Sequence, residues 1–281
     1  MRPAENRHTI RIRKAAELLL WARRNQTRLR ELPADLTPRD LSEAYEIQTA
    51  VAAMRDIPSA GFKLGLTNEE AQRAADAFAP IIGRLGSADI RRHHSKIELP
   101  ETHLRIVEAE VVFELGGDLP AAHAPYSQQR VMANVSRAFA AVELCDTRFD
   151  DRVDFPLACV VADNSNADLL VVGDELTDED LGALANPATT HLTVTLQHRA
   201  HADVIGSTRN VLGSPLRALT WLANWLARHG DGLKRGQLIS SGSCTGMTQV
   251  APDDVVTATF GSGARVCVEF ALKERHNEVR A

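Results

Sequence analysis

A mixed α+β fold built on a mainly antiparallel, barrel-like β core is predicted by three features of the sequence. Helical periodicity is gathered in the first sixty residues. Short runs rich in Val, Ile, Leu and Thr follow, broken by glycine-bearing turns. Neither a Gly-x-Gly-x-x-Gly after a strand nor a Gly-x-x-x-x-Gly-Lys-[Ser/Thr] loop is present, so nothing signals a dinucleotide fold or a phosphate loop. Helices first and hairpin strands afterwards is the α+β order. The 281 residues fit one large domain, divided as a helical segment over 1–60 and an integrated β-rich catalytic domain over 61–281.

The first helix is predicted over residues 10–26, where Ile12, Ala15, Ala16, Leu19 and Ala22 form an apolar stripe that suits docking on a core or on a neighbouring subunit. Arg11, Arg13, Lys14, Arg23, Arg24, Arg28 and Arg30 make the solvated side of that region. A second helix is expected from Thr37-Pro38, a cap residue before a first-turn proline. In "GFKLGLTNEE" (61–70) Lys63 alternates with Phe62 and Leu64, as on the outward face of a half-buried strand, and Thr67 with Glu70 fits a capping box for the next helix. "LRIVEAEVVFEL" (104–115) and the run Phe139 to Val142 read as strands, and 191–206 as a hairpin. A helix begins at Ser214-Pro215, carries Leu219, Leu222, Trp225 and Leu226 on one face, and ends at Gly230. Residues 253–270 complete the chain as two strands around Gly-Ser-Gly.

The formal charge of −5 argues against a generic polyanion surface, so no nucleic-acid partner is expected. No apolar run approaches a membrane span and no signal-peptide order opens the chain, which makes the cytoplasm the expected location. Cys145, Cys159, Cys244 and Cys267 are widely spaced, with no Cys-x-x-Cys pair. They read as small buried hydrophobes rather than zinc or disulfide cysteines. His93, His94 and His103 fall at loops or strand edges and read as surface residues.

Glu108 and Glu110 are two apart in a strand, so both carboxylates leave the same face. Like charges this close are stable in water, on a solvated outer face, or with a cation between them. Glu143 follows an apolar run that reads as buried, where a carboxylate needs a partner. Three converging carboxylates would form an oxygen-rich site suited to Mg2+ or Mn2+.

Glu108-x-Glu110 and Glu143 in "VELCDTR", preceded by "GFKLGLT" and followed by "ADNSNA" and "LISSGSCT", carry a family resemblance. It runs from about Asp40 to Phe270 and takes in Gln72, Pro80, Gly83, Leu85, "SPLRALTWLANWLARHG" and "GSGARVCVEF". The chain resembles the 2-keto-4-pentenoate hydratase and 4-oxalocrotonate decarboxylase group of the fumarylacetoacetate hydrolase superfamily. The resemblance implies a fumarylacetoacetate hydrolase-like fold and a divalent metal, Mg2+ or Mn2+, on Glu108, Glu110 and Glu143. Lys63 would face that metal across a small 2-keto acid or 2-hydroxydienoate, as proton donor, acceptor or counter-charge, its pKa falling toward neutrality. Asp163 and Asn164 would orient a metal ligand or water, and Leu66, Thr67, Ser241, Ser243 and Thr245 would line the substrate. The implied reaction is addition of water to a 2-hydroxy-2,4-dienoate in aromatic or sterol catabolism, by a homo-oligomer that could also join a pathway enzyme.

Alternatives are a 2-keto acid decarboxylase on the same scaffold, an acylpyruvate-type carbon–carbon hydrolase, and a non-catalytic partner subunit. Two departures bear on the choice. "RAADAFAP" carries Phe78 and Ala79 where relatives have an acidic residue before the proline, and Asn166 stands where they have small residues.

Overall fold

The computed structural model describes residues 6–150, 155–186, 191–199 and 202–273. Two helices open the chain: α1 (Arg7–Arg24), capped by the Asn6 side chain, and α2 (Leu41–Arg55), capped by Asp40 on the N–H of Glu43. The start of α2 corrects the Thr37-Pro38 expectation. Thr37 Oγ1 donates to the carbonyls of Leu32 and Pro33, while Asp40 supplies the charged acceptor at the helix end.

The chain continues through β1 (Ser59–Gly65), α3 (Glu69–Ala74), β2 (Ile81–Gly86), β3 (Ile90–Arg92), β4 (Ser95–Leu99) and β5 (Ile106–Leu115). Next come α4 (Gln128–Met132), β6 (Val135–Cys145), α5 (Leu157–Ala162), β7 (Ala167–Glu175) and α6 (Asp178–Ala185). The last part comprises β8 (Thr193–His198), β9 (Val204–Ser207), α7 (Pro215–Arg228), β10 (Leu238–Ser243), β11 (Thr248–Gln249), β12 (Val255–Phe260) and β13 (Ala264–Leu272). Asn68, not Thr67, caps α3: its Oδ1 accepts from Ala71 N at 2.8 Å.

An eight-stranded sheet runs β2-β1-β10-β5-β6-β7-β3, with β11 beside β5, and a five-stranded sheet runs β4-β13-β12-β8-β9. Most neighbours are antiparallel; β1/β10, β3/β7 and β4/β13 are parallel. The strands expected over 253–270 are β12 and β13, joined through Gly261 and Gly263 at positive φ. The 191–206 hairpin is β8 and β9, and residues 200–201 between them lie outside the described residues.

Alternation along β5 decides what the large sheet buries on each face. Val107, Ala109, Val111 and Phe113 enter the main core with Val266, Val268 and Phe270 of β13 and the apolar stripe of α7. Each such large side chain contributes roughly 1.5–3 kcal/mol. Val112 lies on the opposite face with Leu85, Ala141 and Leu170. The helical segment docks by the predicted α1 stripe: Ile12, Ala15, Ala16 and Leu19 pack with Ala44, Ile47, Phe149, Cys159 and Val161. Gln48 Nε2 fastens α2 by donating to the carbonyls of Ile82 and Val161 at 2.8 and 2.9 Å.

Candidate metal centre

Strand register assembles the site. β5 and β6 pair Glu108 with Glu143 and Glu110 with Ala141, β10 pairs Ser243 with Glu110 and Ser240 with Val112, and β1 pairs Lys63 with Ser240. Side chains alternate along each strand, so Lys63, Ser240, Glu108, Glu110 and Glu143 share one face of four consecutive strands. This is the face that carries Val112, away from the main core.

Neither surface reading holds there. Glu110 and Glu143 are 0% and 1% exposed and Lys63 is 3% exposed; Glu108 is half-buried. Lys63 Nζ lies 3.1 Å from Glu143 Oε1. Room for the lysine stem comes from Gly83 on β2, where a Cβ would stand 2.9 Å from Lys63 Cγ and 2.7 Å from the carbonyl oxygen of Asn164. Glu110 Oε2 accepts from Ser240 Oγ at 2.5 Å and from Gly242 N at 2.9 Å. Glu110 Oε1 and Glu143 Oε2 are buried with no hydrogen-bond partner. Cys145 Sγ donates to Glu108 Oε2 at 3.6 Å.

The electrostatics follow from three carboxylates sharing one ammonium. Burial and the charge of Glu108 push the Glu110 carboxyl up to about 7, against the pull of Lys63, Ser240 and Gly242 N–H. Burial likewise raises Glu143 despite Lys63. For Lys63 the outcome reverses the expected fall toward neutrality: burial favours the neutral amine, but Glu143, Cys145, Glu108 and Glu110 outweigh it and the pKa rises. Surplus negative charge and two unpartnered buried oxygens are the features that a divalent cation would satisfy. Hard oxygen donors fit Mg2+ or Mn2+.

The supporting residues are placed as follows. Asp163 is committed to Arg148: Oδ1 accepts from Nε at 2.7 Å and Oδ2 from the Arg148 and Thr147 donors at 2.6 and 3.1 Å. Asn164 clamps the main chain of Arg84, accepting from its N–H at 2.8 Å and donating to its carbonyl at 2.9 Å. Asn164, Ser165 and Asn166 all take left-handed backbone angles, and Asn166 Oδ1 is buried without a partner. Leu66 is left-handed and half-buried, and its carbonyl accepts from Gln72 Nε2. Thr67 is buried so close to Gly242 that a Cβ there would stand 2.1 Å from Thr67 Oγ1. Ser241 Oγ is buried and unpartnered; Ser243 Oγ accepts from Gly246 N at 2.8 Å, and Thr245 Oγ1 accepts from Ala109 N at 3.3 Å. Phe78 stands 98% exposed between α3 and β2.

Sequence reasoning missed Ser240, Cys145 and His103. Cys145 is buried, as expected, yet its sulfur lies with oxygens of Glu108 and Glu143, all within 4.8 Å of one another. The period-two rule that linked Glu108 to Glu110 would have linked Glu143 to Cys145. His103 is a correction: it is buried, with Nε2 3.2 Å from Asp168 Oδ2 and Nδ1 accepting from Arg105 N. His103, Asp146 and Asp168 are also close enough together to hold an ion. Their carboxylates, however, already pair with Arg28 and Arg23 at 2.7 and 2.8 Å.

The architecture is that of the fumarylacetoacetate hydrolase-like folds. It matches the 4-oxalocrotonate decarboxylase from Pseudomonas putida G7, solved with magnesium and adipate, with a TM-score of 0.82 at 24% identity over 92% of this chain and 97% of that one. It matches the fumarylpyruvate hydrolase from Pseudomonas aeruginosa, solved with Mn2+ and pyruvate, with a TM-score of 0.58 at 12% identity over 77% and 91%. No family model matches the chain. Its curated homologues are 2-keto-4-pentenoate hydratases and 4-oxalocrotonate decarboxylases, which bears out the resemblance carried by the glutamate and lysine motifs. They include the TodF product hydratase of Pseudomonas putida, 29% identical over 96% of this chain and 99% of its own length. Others are the 2-keto-4-pentenoate hydratase of Paraburkholderia xenovorans (28%, covering 92% and 94%) and the 4-oxalocrotonate decarboxylase of a Pseudomonas species (28%, covering 77% and 80%). Among the described residues, no helix is long and apolar enough to cross a membrane.

Proposed function

We propose that the protein is a divalent-metal-dependent hydro-lyase that adds water to a 2-hydroxy-2,4-dienoate and releases a 4-hydroxy-2-keto acid. The reading rests on Glu108, Glu110 and Glu143 sharing one face of the sheet beside Lys63, in a chain similar to hydratases over nearly its whole length. The three glutamates would hold Mg2+ or Mn2+. When bound, the cation polarises the 2-oxo group of the substrate and stabilises negative charge on that oxygen.

The remaining roles belong to the protein. Lys63, held protonated among the carboxylates, offsets the charge of the substrate carboxylate and would donate a proton from Nζ to the substrate chain. Ser240 and Gly242 N–H fix Glu110 Oε2, which leaves Oε1 free to turn toward a cation. Asn164 holds β2, and therefore Gly83, against the lysine stem. Asp163 locks Arg148 and the segment leaving β6. By the resemblance, Leu66, Thr67, Ser241, Ser243 and Thr245 would line the substrate side. The resemblance also implies a cytoplasmic homo-oligomer in aromatic or sterol catabolism.

Decarboxylation of a 4-oxalocrotonate-like acid is the second reading, favoured by the 28% identity to the 4-oxalocrotonate decarboxylase of a Pseudomonas species over 77% of this chain. Metal-stripped protein incubated with 2-hydroxypenta-2,4-dienoate should stay inert. On addition of Mg2+ or Mn2+ it should consume the dienol and give the hydroxy-keto acid, and Glu108→Ala should abolish this. Carbon dioxide release from 4-oxalocrotonate without water addition to the dienoate would select the decarboxylase. Inertness toward both substrates with either metal would overturn the proposal.

A further inference from the structure

Cys145 gives the centre a donor that the three-glutamate arrangement does not need. It follows Glu143 by two residues on β6, so its side chain leaves the same face of the sheet. The thiol is free, 6% exposed, and 3.6 Å from Glu108 Oε2. Its sulfur and one oxygen each from Glu108 and Glu143 all lie within 4.8 Å of one another, a spread that a cation can draw together. Glu143 Oε2, on a side chain 1% exposed, has no hydrogen-bond partner and is the second sign of an unfilled ligand position. Glu110 Oε2 is occupied by the Ser240 and Gly242 donors.

We infer that the pocket contains two overlapping donor sets, an all-oxygen set of Glu108, Glu110 and Glu143 and a mixed set of Glu108, Glu143 and Cys145 that captures thiophilic cations such as Zn2+, Co2+ and Cd2+. The inference rests on the metal-centre reading above and adds a selectivity to it. Hard Mg2+ gains nothing from sulfur, whereas borderline and soft ions favour a thiolate. Coordination replaces the S–H bond with a sulfur–metal bond, and the proton leaves to solvent. Because Glu108 and Glu143 belong to both sets, a thiophilic ion excludes Mg2+ from the all-oxygen set.

The test is titration of the full-length, metal-stripped protein with Cd2+ and, separately, with Mn2+. The thiolate-to-Cd2+ charge-transfer absorbance and calorimetry report Cd2+, and the electron paramagnetic resonance of free Mn2+ reports Mn2+. Wild type, Cys145→Ser and Cys145→Val are compared after circular dichroism establishes that each is folded. Wild type should develop the sulfur band at one Cd2+ per chain. Both variants should lose the band and bind Cd2+ at least about tenfold more weakly, with Mn2+ affinity changed by less than about threefold. An unchanged band or unchanged Cd2+ affinity in both variants would assign the ion to other groups and overturn the inference. Absence of Mn2+ binding by wild type would overturn the all-oxygen reading instead. Weakening of Mn2+ and Cd2+ alike in both folded variants would make Cys145 a packing residue and also defeat the inference.

Discussion

Lys63 Nζ and Glu143 Oε1 meet at 3.1 Å although β1 and β6 are separated in the sheet by β10 and β5. Three strand spacings of about 4.8 Å would hold the two backbones at least about 14 Å apart in a flat sheet. Side chains standing perpendicular to a flat sheet would not close that gap, so the contact fits a sheet that curls toward the acidic face. Lys63→Met removes the ammonium and leaves the carboxylates to repel one another. In the metal-free protein at pH 8 the variant should unfold more easily by about 3 kcal/mol, and Mg2+ or Mn2+ should restore much of the loss. Its kcat should remain down by about 10²–10⁴-fold even when metal is saturating. Thermal melts with and without metal, set beside kcat, check this; a metal-loaded variant with wild-type kcat would remove Lys63 from the chemistry.

Gly83 makes that curl compatible with a buried lysine. A Cβ at this position would meet the Lys63 stem and the carbonyl oxygen of Asn164 together, and the second is main chain that Asn164 anchors to Arg84. Gly83→Ala should cost about 1–3 kcal/mol and lower activity by displacing Lys63, while the affinity of the glutamates for Mn2+ should change little. Denaturant unfolding and Mn2+ binding measured on one preparation test the separation.

The order of helices and strands was legible because periodicity is local: the α1 stripe, the alternation in β5 and the paired strands around Gly261 and Gly263 each announce themselves within a dozen residues. The three glutamates and Lys63 were legible as a motif, but their burial was not. Whether the Glu108–Glu110 face is wet depends on β10 and β1 curling over it, a long-range property. Helix starts were misplaced where two polar residues competed, as with Thr67 and Asn68, because loop geometry decides which side chain reaches the free N–H groups. His103 was misread for a similar reason, since Asp168, its partner, lies far along the chain. The direction of the Lys63 shift was missed because burial was weighed without the number of carboxylates burial brings with it.

Glu110 sets a pH dependence. Its folded pKa of about 7 lies above the ordinary carboxylate value, so between about pH 4.5 and 7 the native protein binds a proton that the unfolded chain does not. Stability of the metal-free protein should therefore fall as pH rises through this window, by on the order of 1–3 kcal/mol, with Glu108, Glu143 and Lys63 as the charges facing Glu110. Saturating Mn2+ should flatten the slope, since the cation takes the place of the proton. Conversely, Mn2+ affinity should weaken by up to about tenfold per pH unit on acidification below 7. Melting temperatures across pH 5 to 8, with and without Mn2+, measure both effects, and Glu110→Gln should reduce the metal-free slope, leaving the part that the raised Glu143 contributes.

Asp163 and Arg148 are both buried, and their fork of hydrogen bonds joins the end of β6 to the left-handed segment that starts at Asn164. A buried pair of this kind is costly to break from one side, because the survivor keeps its charge without a partner. Asp163→Asn and Arg148→Met should each destabilise the protein by about 3–5 kcal/mol, and the double variant should lose less than the sum of the two. If Asp163 acts on the reaction only through position, Asp163→Asn should lower kcat without moving the pH at which activity is half-maximal. A shifted pH profile in a folded, metal-loaded Asp163→Asn protein would instead place the Asp163 carboxylate among the groups that exchange protons with the substrate.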